Sequence, residues 1–93
     1  MLGPEEAIFT EAHRFTHPEA CRVFNTAMYQ VPGRTVVVDL SCAQDATTSA
    51  FARLVLLRRE LRRHGRDLKL RGMRDRVARL YEVSRLSTVL PRN

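Results

Sequence analysis

Three hydroxyl side chains in a row, Thr47-Thr48-Ser49, stand just before an apolar, arginine-rich stretch. Such a hydroxyl can do either of two things at a helix start. It can cap the helix by accepting a bond from the unpaired backbone N–H groups of the first turn. It can also carry a phosphate, because those N–H groups and the positive end of the helix dipole favour an anion. Phosphorylation of Ser49 would add about −1.5 to −2 charges at pH 7. On a helical wheel Ser49 lies about 100° from the apolar face, close to Arg53 and Leu56. Leu56 is the one large apolar residue on an otherwise charged side, which is how a small docking patch reads. New negative charge at its edge would alter docking to any charged partner. Cap and switch both remain open for Ser49 at this level.

Other chemistry-bearing residues form no set. His13 and His17 are four apart, but Thr16 and Pro18 begin a helix between them, so they share no helical face and no third ligand completes a metal site. Asp39 and Asp45 flank Cys42, yet an aspartate at a strand end or before a helix is usually a cap, and no nucleophile–base–orienter set surrounds them. Cys21 and Cys42 are too few and too far apart for a disulfide framework or zinc site; they read as two free, buried or half-buried thiols. No glycine-rich phosphate loop is present. The sequence therefore points away from an enzyme and away from a cofactor.

The elements that must position Ser49 fit within one domain of 93 residues, with residues 1–6 expected to be a loose N-terminus. No apolar run approaches the roughly 20 residues of a membrane helix, and Met1 to Glu6 is acidic and lacks secretory-signal character, which makes the cytoplasm the expected compartment. The net charge of +6 is unevenly spread. Residues 1–50 hold three basic and six acidic side chains, and residues 51–93 hold thirteen basic and four acidic. The halves thus carry −3 and +9, a balance that favours an acidic partner.

Ala7 to Ala12 is a short apolar stretch suited to an edge strand. Thr16-His17-Pro18-Glu19 starts a helix, with threonine at the N-cap, proline in the first turn and Glu19 completing a capping box. Ala20, Val23, Phe24, Ala27 and Val31 form its apolar stripe before Pro32-Gly33 ends it. Thr35 to Leu40 is a strand whose unbroken β-branched run implies that both faces are covered. Ser41 to Thr48 reads as a polar loop. A second helix from about Ser49 to His64, closed by Gly65, places Ala50, Phe51, Leu54, Val55, Leu57 and Leu61 on one face and Arg53, Arg59, Glu60 and Arg63 on the other. Asp67 to Arg71 alternates as a strand, and a third helix spans about Arg74 to Ser84. Leu86, Val89 and Leu90 then tuck the C-terminus back onto the core. Strands alternating with helices predict an α/β domain with a mostly parallel or mixed sheet of about four strands against three helices.

From Arg34 onward the chain resembles the STAS (anti-anti-sigma factor-like) family. Its pattern is a hydrophobic strand ending Asp-Leu, here Val36 to Leu40, then an Asp-Ser-Ser-Gly motif eight residues on. That motif falls on Thr47-Thr48-Ser49-Ala50, and Arg58 to Gly65 resembles the family's helix ending. The resemblance implies a non-enzymatic, partner-switching regulator whose motif serine, Ser49, is phosphorylated by an ATP-dependent anti-sigma serine kinase. Thr47, Thr48, Ser49, Arg53 and Leu56 would touch the partner. Thr47 and Ala50 depart from the family's Asp and Gly, which bears on kinase recognition. The alternative is a constitutive STAS subunit docked on the ATPase of an ABC-type lipid transporter or on another scaffold. A DNA-binding reading of residues 77–89 fares worse, because Glu82 occupies the turn position where glycine is typical and Pro91-Arg92-Asn93 leaves no room for a recognition helix. Neither specific nucleic-acid binding nor membrane insertion is expected.

Overall fold

The computed structural model describes residues 6–92. Of the expected loose N-terminus, residues 1–5 lie outside the described residues, and Glu6 opens the first strand. In chain order the elements are β1 (Glu6–Phe15), α1 (His17–Tyr29), β2 (Thr35–Ala46), α2 (Thr48–Arg63), β3 (Asp67–Arg71), α3 (Asp75–Val83) and a 3-10 turn (Leu86–Thr88).

The sheet has the order β1-β2-β3 and is parallel throughout. Among the described residues it has three full strands rather than about four. In place of a fourth, the C-terminal segment makes a single parallel bridge, the Leu70 N–H donating to the Pro91 carbonyl at 2.8 Å. α1 and α2 share one core on the same side of the sheet, as two crossovers of the same hand in the order 1-2-3 require. Tyr81 of α3 joins them there, its ring packed edge-on against Phe51 at 6.4 Å. One core therefore unites Val36, Val38 and Leu40 of β2 with Leu68 and Leu70 of β3 and the buried stripes of all three helices. Both faces of β2 are covered at its centre, Val36, Val37 and Val38 all being buried, although among the described residues the helices pack on one face only. Val37 is buried, yet it points away from that core, flanked on the opposite face by its register partners Ile8 and Lys69.

Local chemistry explains the boundaries. The Thr16 backbone N–H donates to Glu19 Oε1 at 2.9 Å, and Pro18 sits in the first turn of α1, as its sequence predicts. No basic residue lies in the last turn of α1. That role falls to Arg66, whose guanidinium donates to the carbonyls of Ala27, Val31 and Gly33 at 3.0, 3.0 and 2.6 Å. Arg66 thus satisfies one orphan carbonyl of the last turn of α1, that of Ala27, and two of the α1–β2 connection, and ties that connection to the start of β3.

The stretch Ser41 to Ala46, expected as a loop, continues β2. It pairs with an equally extended β1, ending at Phe15 opposite Ala46 and interrupted by register shifts between Thr10 and Ala12 and between His13 and Arg14. At each shift β2 carries one extra residue, so this polar stretch stays paired with β1 as a bulged strand. Because β3 pairs only as far as Asp39–Arg71, the far half of β2 has strand neighbours on one side only and tolerates polar Gln44 and exposed Cys42.

At the end of β3 the chain turns at Gly72, with φ of +76°. A Cβ there would stand 2.8 Å from Ser41 Cβ and 3.0 Å from Asp39 Oδ1. Asp39 accepts from the Ser41 N–H at 2.9 Å and from Arg71 Nε at 3.1 Å. The Ser41 bond, more than the arginine, holds the Asp39 carboxyl below the usual aspartate range. Asp39 and Asp45, whose Oδ1 accepts from Ala46 N, both lie within β2 and spend their carboxylates on nearby backbone N–H groups. No group of His, Cys, Asp and Glu among the described residues is arranged to hold a metal ion.

Candidate docking site on the second helix

The start of α2 is fixed by the end of β1. The Thr47 N–H donates to the Phe15 carbonyl at 3.1 Å, just past the Phe15–Ala46 strand pair, and Phe15 itself is fully buried. Thr47 is the N-cap: its backbone is extended, and its hydroxyl accepts from the Ala50 N–H at 3.2 Å. The cap among the three hydroxyls is thus Thr47. Thr48 and Ser49 take the first two helical positions, both exposed. Ser49 Oγ lies 3.2 Å from Thr47 Oγ1. No acidic residue occupies the first turn of α2, so the N–H groups and dipole at Ser49 face no competing carboxylate on their own helix.

Along α2 the buried stripe is Ala50, Phe51, Leu54, Leu57 and Leu61, while Val55, expected on the same face, is only half-buried at its edge. Beside it, Thr48, Ala52, Val55 and Leu56 form one wall of a hollow of about 430 Å3, with Phe51 at its base. Ser84 and Leu86 form the other wall, at the junction of α3 and the 3-10 turn. Leu56 is 42% exposed, so the C-terminal segment leaves it open to solvent. A smaller hollow of about 100 Å3 continues from Val55 along Arg58, Arg59 and Arg62 to Val89.

The second wall is held by three bonds. Tyr81 Oη donates to the Leu90 carbonyl at 2.5 Å, and Arg58 Nη1 to the Val89 carbonyl at 3.2 Å. Arg58 Nε also pairs with Asp67 at 2.8 Å. Burial pushes the Asp67 carboxyl up, but the Arg58 hydrogen bond and charge outweigh it and leave the group below its ordinary range. Leu90 is fully buried beneath this arrangement.

Of the residues singled out from sequence, Thr48 and Leu56 line the larger hollow, while Thr47 and Ser49 stand at the start of the same helix. Arg53 does not belong to this face. The wheel places it with the charged residues, but in the fold it turns toward α1 and stacks on Phe24, its guanidinium carbon 5.6 Å from the ring centroid. Its Nε is buried without a hydrogen-bond partner among the described residues. Packing of α1 against α2 narrows the solvent face that a single-helix wheel overestimates. Conversely, Ser84 and Leu86 escaped the sequence reading as site residues, because only the tertiary fold brings them beside Ala52 and Leu56.

The two cysteines are free; Cys21 is half-buried with Sγ 3.2 Å from His17 Nε2, and Cys42 is exposed rather than buried. His13, on β1, and His17, at the start of α1, share no helix, as expected.

The fold is that of a STAS domain, and residues 17–91 match the family model described as "Mlab, STAS domain". The chain belongs to that family. No curated protein matches it in sequence. Among solved structures it is similar to a sulfate transporter family protein from Wolinella succinogenes, with a TM-score of 0.79 at 13% identity over 97% of this chain and 75% of that one. It is also similar to the anti-sigma factor antagonist SpoIIAA in its unphosphorylated form, with a TM-score of 0.68 at 15% identity over 92% and 78%. The protein TM1081 superposes with a TM-score of 0.77 at 12% identity over 100% and 77%. At these identities the likeness is one of fold. No helix among the described residues is long and apolar enough to cross a membrane.

Proposed function

We propose that this chain is a non-enzymatic, cytoplasmic protein-docking module that binds its partner through the exposed side of α2 and releases it when Ser49 is phosphorylated. The observation that carries this is the juxtaposition at one helix start. Ser49 is exposed at the second helical position and relieved of capping by Thr47, while an open apolar hollow lies along the same helix with Leu56 uncovered. A phosphate at Ser49 would sit on unpaired N–H groups without unfolding anything, and would change the charge at the edge of the docking face. The likeness of fold to an anti-sigma factor antagonist agrees with a partner-switching regulator answering to a serine kinase.

A second reading has its own support. Ser49 Oγ already shares a hydrogen bond with the capping Thr47, the motif has Thr47 and Ala50 in place of Asp and Gly, and the matching family model is the Mlab STAS domain. These favour a constitutive subunit docked by the same face on a transporter ATPase, without phosphorylation.

Affinity capture from native lysate with wild-type, Ser49→Asp and Leu56→Asp baits, read by mass spectrometry with phosphosite mapping, separates the two. Switching predicts a kinase-like ATPase on the wild type only, with phosphate on Ser49. A constitutive subunit predicts equal capture of a transporter ATPase by wild type and Ser49→Asp. Capture undiminished by Leu56→Asp would refute the docking face in both forms.

A further inference from the structure

We infer that the docking face receives an amphipathic helix of the partner whose apolar ridge is bordered by acidic side chains. The inference rests on the docking role of α2 and names the chemistry of what docks. The two hollows share Val55 and so form one groove along α2. From Thr48 to Arg59 it runs eleven helical steps, about 16 Å, or roughly three turns of a facing helix. Thr48, Ala52, Val55/Leu56 and Arg59 recur at the i, i+4, i+7/8, i+11 spacing of a single ridge. Small Ala52 lies at its middle, where a second helix can approach closely, as ridges-into-grooves packing requires.

The charge of the groove is one-sided. None of the residues lining either hollow is acidic, and Arg58, Arg59 and Arg62 border its far end. Arg58 and Arg62 are shared with Asp67, but Arg59 is exposed with no carboxylate partner among the described residues. Arg85, left-handed at φ +54° and exposed, stands between the wall residues Ser84 and Leu86. An apolar floor with an arginine border matches leucine-type anchors flanked by Glu or Asp, and repels a basic helix. A concave apolar groove also suits a helix better than a lipid surface, which needs apolar side chains that protrude.

The test uses full-length protein and three synthetic, fluorescein-labelled 15-residue helical peptides. One carries a leucine ridge with glutamate flanks, the second the same ridge with lysine flanks, and the third an alanine ridge with glutamate flanks. Fluorescence anisotropy gives affinity, and amide chemical shifts give location. The glutamate-flanked leucine peptide should bind about tenfold tighter than either of the others. Its shifts should fall on residues 48–59 and 84–89, and binding should be lost in Leu56→Asp. Arg59→Glu should reverse or abolish the preference for glutamate over lysine flanks. Leu56-dependent binding that is indifferent to flank charge would overturn the acidic-partner inference while leaving the docking face intact. Failure of all three peptides to bind would overturn the inference as well, with the docking face then judged by lysate capture alone. Leu56-dependent binding to phosphatidylglycerol vesicles in place of the peptides would replace it with a membrane surface.

Discussion

Placing a negative charge at position 49 should have opposite effects on folding and on docking. Ser49 occupies the second position of α2, exposed, with no acidic residue in that first turn. An aspartate there gains the favourable helix-dipole interaction of about 0.3–1 kcal/mol at a surface site. For a domain of this size each kcal/mol moves the melting temperature by about 4–8 °C, so Ser49→Asp should raise Tm by about 1–8 °C. The hydroxyl pair with Thr47, exposed and 3.2 Å long, is all that is lost, and Ser49→Ala should change stability by less than about 0.5 kcal/mol. Docking should move the other way. At about 10 Å from a partner carboxylate, one added charge repels by about 0.4–1.7 kcal/mol between a bulk-water and a surface dielectric, a loss of about 2- to 20-fold in affinity. The loss should shrink at physiological salt, where screening acts over about 8 Å. Thermal melts of wild type, Ser49→Ala and Ser49→Asp, with peptide titrations at low and physiological salt, measure both signs. A destabilised Ser49→Asp protein would refute the reasoning, because weaker docking would then report unfolding of the helix start and not a switch.

Arg66→Met should cost about 2–4 kcal/mol in urea denaturation, since it strips three carbonyls of a charged donor; Arg66→Lys should recover part of this, and equal stability of all three proteins would contradict the capping role. Gly72→Ala should cost more than the roughly 1–2 kcal/mol of a left-handed alanine, because its Cβ meets Ser41 and Asp39. Gly65→Ala, also at positive φ but with open space around it, should cost only that strain, so equal losses at the two sites would refute the steric argument. Asp39 and Asp67 are held below their usual pKa in the fold, by the Ser41 bond and by Arg58 overcoming burial respectively. Their stabilisation should be complete above about pH 3.9, the unfolded value, and be lost as pH falls through the lower folded values. Asp39→Asn and Asp67→Asn should therefore lower stability at neutral pH and flatten its decline in acid, and unchanged acid profiles would count against both pairs.

The parts of this fold legible in the sequence are those written in local chemistry. Thr16 and Glu19 announce α1, the period of α2 gives its buried stripe, and the β-branched run at Val36 to Val38 marks the central strand. What stayed hidden depends on long-range pairing. Ser41 to Ala46 becomes strand only because β1 runs beside it to Phe15, with the bulges taken up in β2 itself. Arg66 looks like one more basic residue until α1 ends against it, 33 to 39 residues away in sequence. At the candidate site, the helix start and Leu56 could be read from spacing, but that Arg53 turns toward α1 could not, because a wheel knows nothing of Phe24 on a neighbouring helix. The second wall, Ser84 and Leu86, carries no local signature of a site.

The central claim is that a protein partner covers the exposed side of α2, and hydrogen–deuterium exchange of the captured complex against the free protein tests it most directly. Protection confined to residues 48–59 and 84–89, and absent when Leu56→Asp is the bait, is the predicted result. Protection on the opposite face of the sheet instead, around Ile8, Val37 and Lys69, with residues 48–59 unchanged, would contradict it.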